Sequence, residues 1–112
     1  MSSVSAAASE AATVFAALGD DTRLWLVGQL ADGRPRSIAS LAGGTALTRQ
    51  AVAKHLGVLK GAGLVASGRA GREVRFTLER KALDQARAHL DHVSAQWDRA
   101  LGRLGRFLED NP

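Results

Sequence analysis

The chain has 112 residues, a formal net charge of +4, 46% hydrophobic residues and no cysteine. That length suits one small domain, which buries only about two-thirds of its unfolded surface, so a core shared with a second copy would help it. The absence of cysteine excludes disulfides, thiolate metal sites and thiol redox sensing. No stretch is long enough for a membrane span, and Met1–Ala12 lacks the basic start and apolar run of a secretion signal, so no membrane partner and a cytoplasmic location are expected.

Residues 1–10 are expected to form a flexible N-terminus, ahead of a single domain over residues 11–109. Ala11, Phe15 and Leu18 make a first helical stripe, ended by Gly19. Asp20 or Asp21 caps a second helix through Leu24, Trp25, Val27 and Leu30, which stops at Gly33 before Pro35. Ser37 caps a short third helix with Ile38, Leu41 and Ala42, closed by Gly43 and Gly44.

The fourth helix is the most informative. Thr48 supplies its cap, and Val52, Leu56 and Leu59 fall on one buried stripe. Arg49, Gln50, Ala53, Lys54, Gly57 and Lys60 lie off that stripe, and Gly61 and Gly63 provide a stop. Arginine and glutamine near a helix start suit major-groove reading, because Arg pairs with guanine edges and Gln with adenine edges, while Ala53 could meet a thymine methyl. The plainer alternative is an amphipathic helix with a solvated polar face.

Residues 64–78 follow. Val74, Phe76 and Leu78 alternate with Glu73, Arg75 and Thr77, the period-2 pattern of a half-buried strand. Leu64, Val65 and Ala66 form its partner strand, and Gly68 and Gly71 bracket a tip carrying Arg69 and Arg72. A two-stranded ribbon directly after a basic helix is a winged helix-turn-helix. The expected class is therefore mostly α, with about five helices and a small β-ribbon. The simpler alternative for the ribbon is a hairpin with solubilising charges.

Charge is concentrated on the same unit. Residues 37–78 carry Arg49, Lys54, Lys60, Arg69, Arg72 and Arg75 against Glu73 alone, a net of +5, whereas residues 1–36 carry −1 and residues 79–112 balance. A basic patch on one supersecondary unit is the electrostatic footprint of a nucleic-acid binder.

On the last helix, over about 83–108, Ala86, Leu90, Val93, Trp97, Ala100, Leu104 and Phe107 hold a heptad spacing, flanked by Leu101 and Leu108. Such a register suits packing against another long helix, and the same helix of a second chain is the obvious candidate. A helix folded back on its own core is the alternative. His89 and His92 lie three apart there, as a metal pair or as a solvated or interfacial one.

Three stretches in order carry a family resemblance: Val14-Phe15-Ala16-Ala17-Leu18-Gly19-Asp20-Asp21-Thr22-Arg23-Leu24, then Ala51–Val65, then Gly68–Leu78. Together they resemble the ArsR type of bacterial transcriptional repressor over roughly residues 11–109. The resemblance implies a homodimer formed by the first and last helices. With it, Phe15, Leu90, Val93, Trp97, Leu101, Leu104 and Leu108 are expected at the dimer interface. Double-stranded DNA is the expected partner, with Arg49, Gln50, Ala53 and Lys54 at the groove, Ser37, Thr48 and His55 near phosphate, and Arg69, Arg72 and Arg75 on backbone or minor groove. His55 has an equal claim to a bond within the fold.

The chain departs from metal-sensing members of that family. Where some carry cysteines, it has Ser37-Ile38-Ala39-Ser40-Leu41-Ala42, and after His89 and His92 no third histidine follows on the last helix. No metal and no cofactor are expected, and the inducer is left open. No paired carboxylate, Ser/His/Asp set or phosphate loop suggests an enzyme. The competing class is a winged-helix module that binds an acidic protein partner instead of DNA.

Overall fold

The computed structural model describes residues 5–110. In chain order the elements are α1 (Ala6–Leu18), α2 (Asp21–Gln29), β1 (Arg36–Ser37), α3 (Ile38–Gly43), α4 (Arg49–Gly61), β2 (Val65–Ala70), β3 (Glu73–Leu78) and α5 (Arg80–Asp110). The five expected helices and the ribbon are present. Residues 1–4 of the expected N-terminal segment lie outside the described residues, and α1 begins at Ala6, with the Ser5 side chain capping it by accepting from the Ala8 N–H.

Local chemistry sets the helix ends. Asp20, not Asp21, caps α2: its side chain accepts from the Arg23 N–H at 3.0 Å. Ser37 and Thr48 cap α3 and α4 in the same way, each accepting from an N–H three residues on at 3.1 Å. At the end of α4 the Gly63 N–H reaches Lys60 O and the Leu64 N–H reaches Leu59 O, which is a Schellman closure. Gly63 sits at φ +77°, a conformation that side chains resist.

The centre of the molecule is apolar throughout. Leu26, Leu30, Val52, Leu56, Leu59 and Leu64 are fully buried, and no buried residue among the described ones is polar or charged. The stripe expected for α4 is thus the buried one. Two others shift. In α1 the buried face is Ala11, Val14 and Ala17, with Leu18 packed beside it, while Phe15 is 40% exposed. In α2, Leu26 is buried and Leu24 is 58% exposed. Both helices carry apolar residues at more positions than one face can hold, so periodicity alone does not select the inner set.

The sheet has three strands, in the order β1-β3-β2, all antiparallel. β1 is the one strand that the pattern does not reveal. Arg36 pairs with Phe76 and Ser37 with Arg75, a two-residue contact formed across the fold with no period of its own. The ribbon also runs further than expected. Gly68 pairs with Arg75 inside β2, and the turn lies between Ala70 and Glu73 with Gly71 at φ +66°.

α5 starts at Arg80, three residues before the expected position, and packs along α1. Only Ala86 along its 31 residues is buried. At about 1.5 Å per residue it extends about 46 Å, and the molecule's longest dimension is 69 Å. No helix among the described residues is long and apolar enough to cross a membrane.

Candidate nucleic-acid interface

The site is built on α4. Burial of Val52, Leu56 and Leu59 fixes its rotation, so Arg49, Gln50 and Lys54 face solvent and Ala53 is half-buried beside them. Capping by Thr48 leaves the first turn basic and free of acid. The N-termini of α3 and α4 and the start of β3 enclose a groove of about 450 Å³, lined by Ser37, Ile38, Ala39, Arg49, Gln50, Ala53, Glu73 and Val74. The groove joins the first turn of α4 to the wing, a connection that the sequence pattern does not supply.

The wing is held to α4 at its far end, where Lys60 Nζ donates to Ser67 Oγ at 2.8 Å. Arg69, Arg72 and Arg75 are all exposed on the ribbon. Arg75 is engaged, its Nε donating to Glu73 Oε1 at 2.8 Å.

The phosphate candidates differ in what they already do. The Ser37 and Thr48 hydroxyl oxygens accept the capping bonds of α3 and α4. His55 faces inward to a polar corner that sequence reasoning missed. There Arg23 Nε donates to Ala17 O at 2.6 Å, and its Nη1 lies 3.4 Å from His55 Nδ1. Asp20 Oδ1 stands 3.9 Å from the same ring nitrogen. A guanidinium can only donate, so in the neutral ring Nδ1 is the acceptor for Arg23, whereas in the charged ring Nδ1–H faces Asp20. Arg23 thereby ties the end of α1 and the start of α2 to the middle of α4. The local signal is the Leu18-Gly19-Asp20-Asp21-Thr22-Arg23 stretch, whose pattern marks a helix end and a cap but not the reach of Arg23 to α4.

The Arg23 N–H bonding to its side chain holds the Asp20 carboxyl below its ordinary value of 3.8, with the Arg23 guanidinium and His55 adding to the effect. His89 is half-buried and His92 exposed on α5. Among the described residues no group of three or more His, Cys, Asp or Glu could hold a metal ion. The expected interface residues Leu90, Val93, Trp97, Leu101, Leu104 and Leu108 are all exposed, between 40% and 66%.

A basic helix docked on a mostly exposed ribbon anchored by Val65 and Phe76, with its first turn open to solvent, defines a winged helix-turn-helix DNA-binding protein. Comparison with known proteins makes this specific. A model described as a helix-turn-helix domain matches residues 18–67. The HTH-type transcriptional regulator Rv2034 of Mycobacterium tuberculosis is 40% identical over 93 residues, covering 83% of each chain. An ArsR-like transcriptional regulator from Rhodococcus sp. RHA1 is 38% identical and superposes with a TM-score of 0.83 over 93% of this chain and 94% of that one. A cadmium metal-sensor from M. tuberculosis, CMTR, is 39% identical, with a TM-score of 0.54 over 71% of this chain and 80% of that one. The chain belongs to the ArsR-like family of helix-turn-helix transcriptional regulators, which are DNA-binding proteins and not enzymes.

The Asp20 corner makes a pH prediction. A folded-state pKa below the ordinary value adds stability that is present above that value and is lost as pH falls through the lowered one. Asn retains a capping oxygen, so Asp20→Asn isolates the charge. We expect Asp20→Asn to lower the urea midpoint at pH 7 and the deficit to shrink by pH 3. A deficit of equal size at both pH values would show that the carboxylate charge plays no part.

Proposed function

We propose that the chain is a transcriptional repressor that binds a palindromic operator as a homodimer. The observation that carries the proposal is the apolar stripe of α5, in which Leu90, Val93, Trp97, Leu101, Leu104 and Leu108 share one face and are all exposed in the single chain. An exposed apolar stripe of that length favours association. Phe15, 40% exposed on α1, extends the same face in this reading. Residues 11–109 then act as one DNA-binding and dimerisation domain in the cytoplasm.

A two-fold pair presents two α4 helices to successive major grooves, roughly 34 Å apart along the duplex. In this assignment Arg49, Gln50 and Lys54 read base edges, with Ala53 beside them. Ser37, Thr48 and His55 approach phosphate, and Arg69, Arg72 and Arg75 hold the backbone or minor groove. Occupied promoter DNA is closed to transcription.

Two experiments test the reading. Arg49→Ala and Gln50→Ala should each weaken binding to a selected duplex by about 1–3 kcal/mol and relax base preference at one position per half-site. Equal losses on selected and random duplexes would mean that these side chains touch only phosphates.

Trp97 is 66% exposed in the single chain. If its burial comes from a second copy, its removal acts on association, and stability then depends on protomer concentration. Truncating a packed Trp costs about 3–5 kcal/mol. Trp97→Ala should therefore sediment as a monomer at micromolar concentration and lose palindrome binding, because linking two half-sites is what raises affinity. A dimer that still binds its operator would remove Trp97 from the interface.

A further inference from the structure

Residues 37–78 contain a single acidic side chain, and it stands inside the DNA-binding unit. Glu73 opens β3 next to Arg72 at the turn, and it lines the groove that also holds Arg49 and Gln50. Its Oε1 accepts from Arg75 Nε at 2.8 Å. Residues two apart on a strand share one face. Across the ribbon, Glu73 pairs with Ala70 and Arg75 with Gly68, so the opposing positions carry at most a methyl group and leave the ion pair open to solvent. The two side chains are 50% and 47% exposed.

Stability does not account for this acid. An exposed ion pair adds little to a fold, and the ribbon is already held by its ladder and by the buried Phe76. Against a polyanion the carboxylate is unfavourable, since it repels phosphate and occupies one of the wing's arginines. The same exposure makes the pair easy to break, and a phosphate can replace Glu73 as the acceptor for Arg75.

We propose that Glu73 is an electrostatic restraint on DNA binding. It holds Arg75 in the free protein and lowers the affinity for duplexes of any sequence, so that retention depends more on the base contacts of α4. The inference rests on the DNA-binding assignment, and its test separates the two. Glu73→Gln keeps the size and removes the charge. Measured by fluorescence anisotropy on a random-sequence duplex across a salt series, Glu73→Gln should bind about threefold to tenfold more tightly near 100 mM salt. Its salt slope should steepen by about one unit, the increment of one gained phosphate contact.

The Arg75→Ala background checks the route. There the Glu73→Gln gain should fall below about twofold, because no arginine remains to be released. An unchanged or weaker affinity for Glu73→Gln would overturn the proposal. So would an equal gain in the Arg75→Ala background, which would reduce Glu73 to simple repulsion. If the unsubstituted chain retains no duplex even at low salt, the DNA-binding assignment fails and takes the inference with it. If the unsubstituted chain binds and Glu73→Gln matches it, the inference fails alone.

Discussion

The rotation of α4 is the constraint on which the rest of the molecule depends. Val52, Leu56 and Leu59 are fully buried, and burying each such side chain contributes roughly 1.5–3 kcal/mol. Turning the helix to hide Arg49 or Lys54 would forfeit that burial and desolvate a charge, which is the costlier term. The core therefore decides which side chains meet solvent. The ends are fixed as firmly, by Thr48 at the start and by the αL Gly63 closure at the finish. A rigid, correctly rotated helix is what a groove reader requires, since small displacements lose bidentate geometry.

Around that helix the fold places two polar devices. The Arg23 corner joins α1, α2 and α4 through Ala17 O, Asp20 and the His55 ring. The Lys60–Ser67 bond ties the opposite end of α4 to the wing. The basic groups of the unit are thus carried on elements that these contacts join, and Glu73 lowers their total charge.

Much of this was legible in the sequence, for a definite reason. In α4 the stripe of Val52, Leu56 and Leu59 is the buried one, with Val58 off it and exposed, and in β3 Phe76 and Leu78 turn inward while Val74 at the open end is exposed, so the period identified both elements and most of their inner sides. The caps Ser37 and Thr48 were legible because a hydroxyl directly before a periodic run has a local mechanism. α1 and α2 were less so: Val14 beside Phe15 and Leu26 beside Leu24 offer two apolar faces, and only the tertiary neighbours choose between them. β1 has no local signal, because it exists through pairing with Phe76 and Arg75, some forty residues away in sequence. The Asp20–Arg23–His55 corner was hidden for the same reason. Its members are ordinary locally and meet only when α4 packs on α2.

In the proposed dimer α4 reads bases from two copies at once. Selection of duplexes from a random pool by the purified chain tests this directly. We expect enrichment of an inverted repeat whose half-site centres lie about one helical turn apart, roughly 10–10.5 base pairs. Recovery of duplexes with no common sequence, or of single unrepeated half-sites, would contradict it.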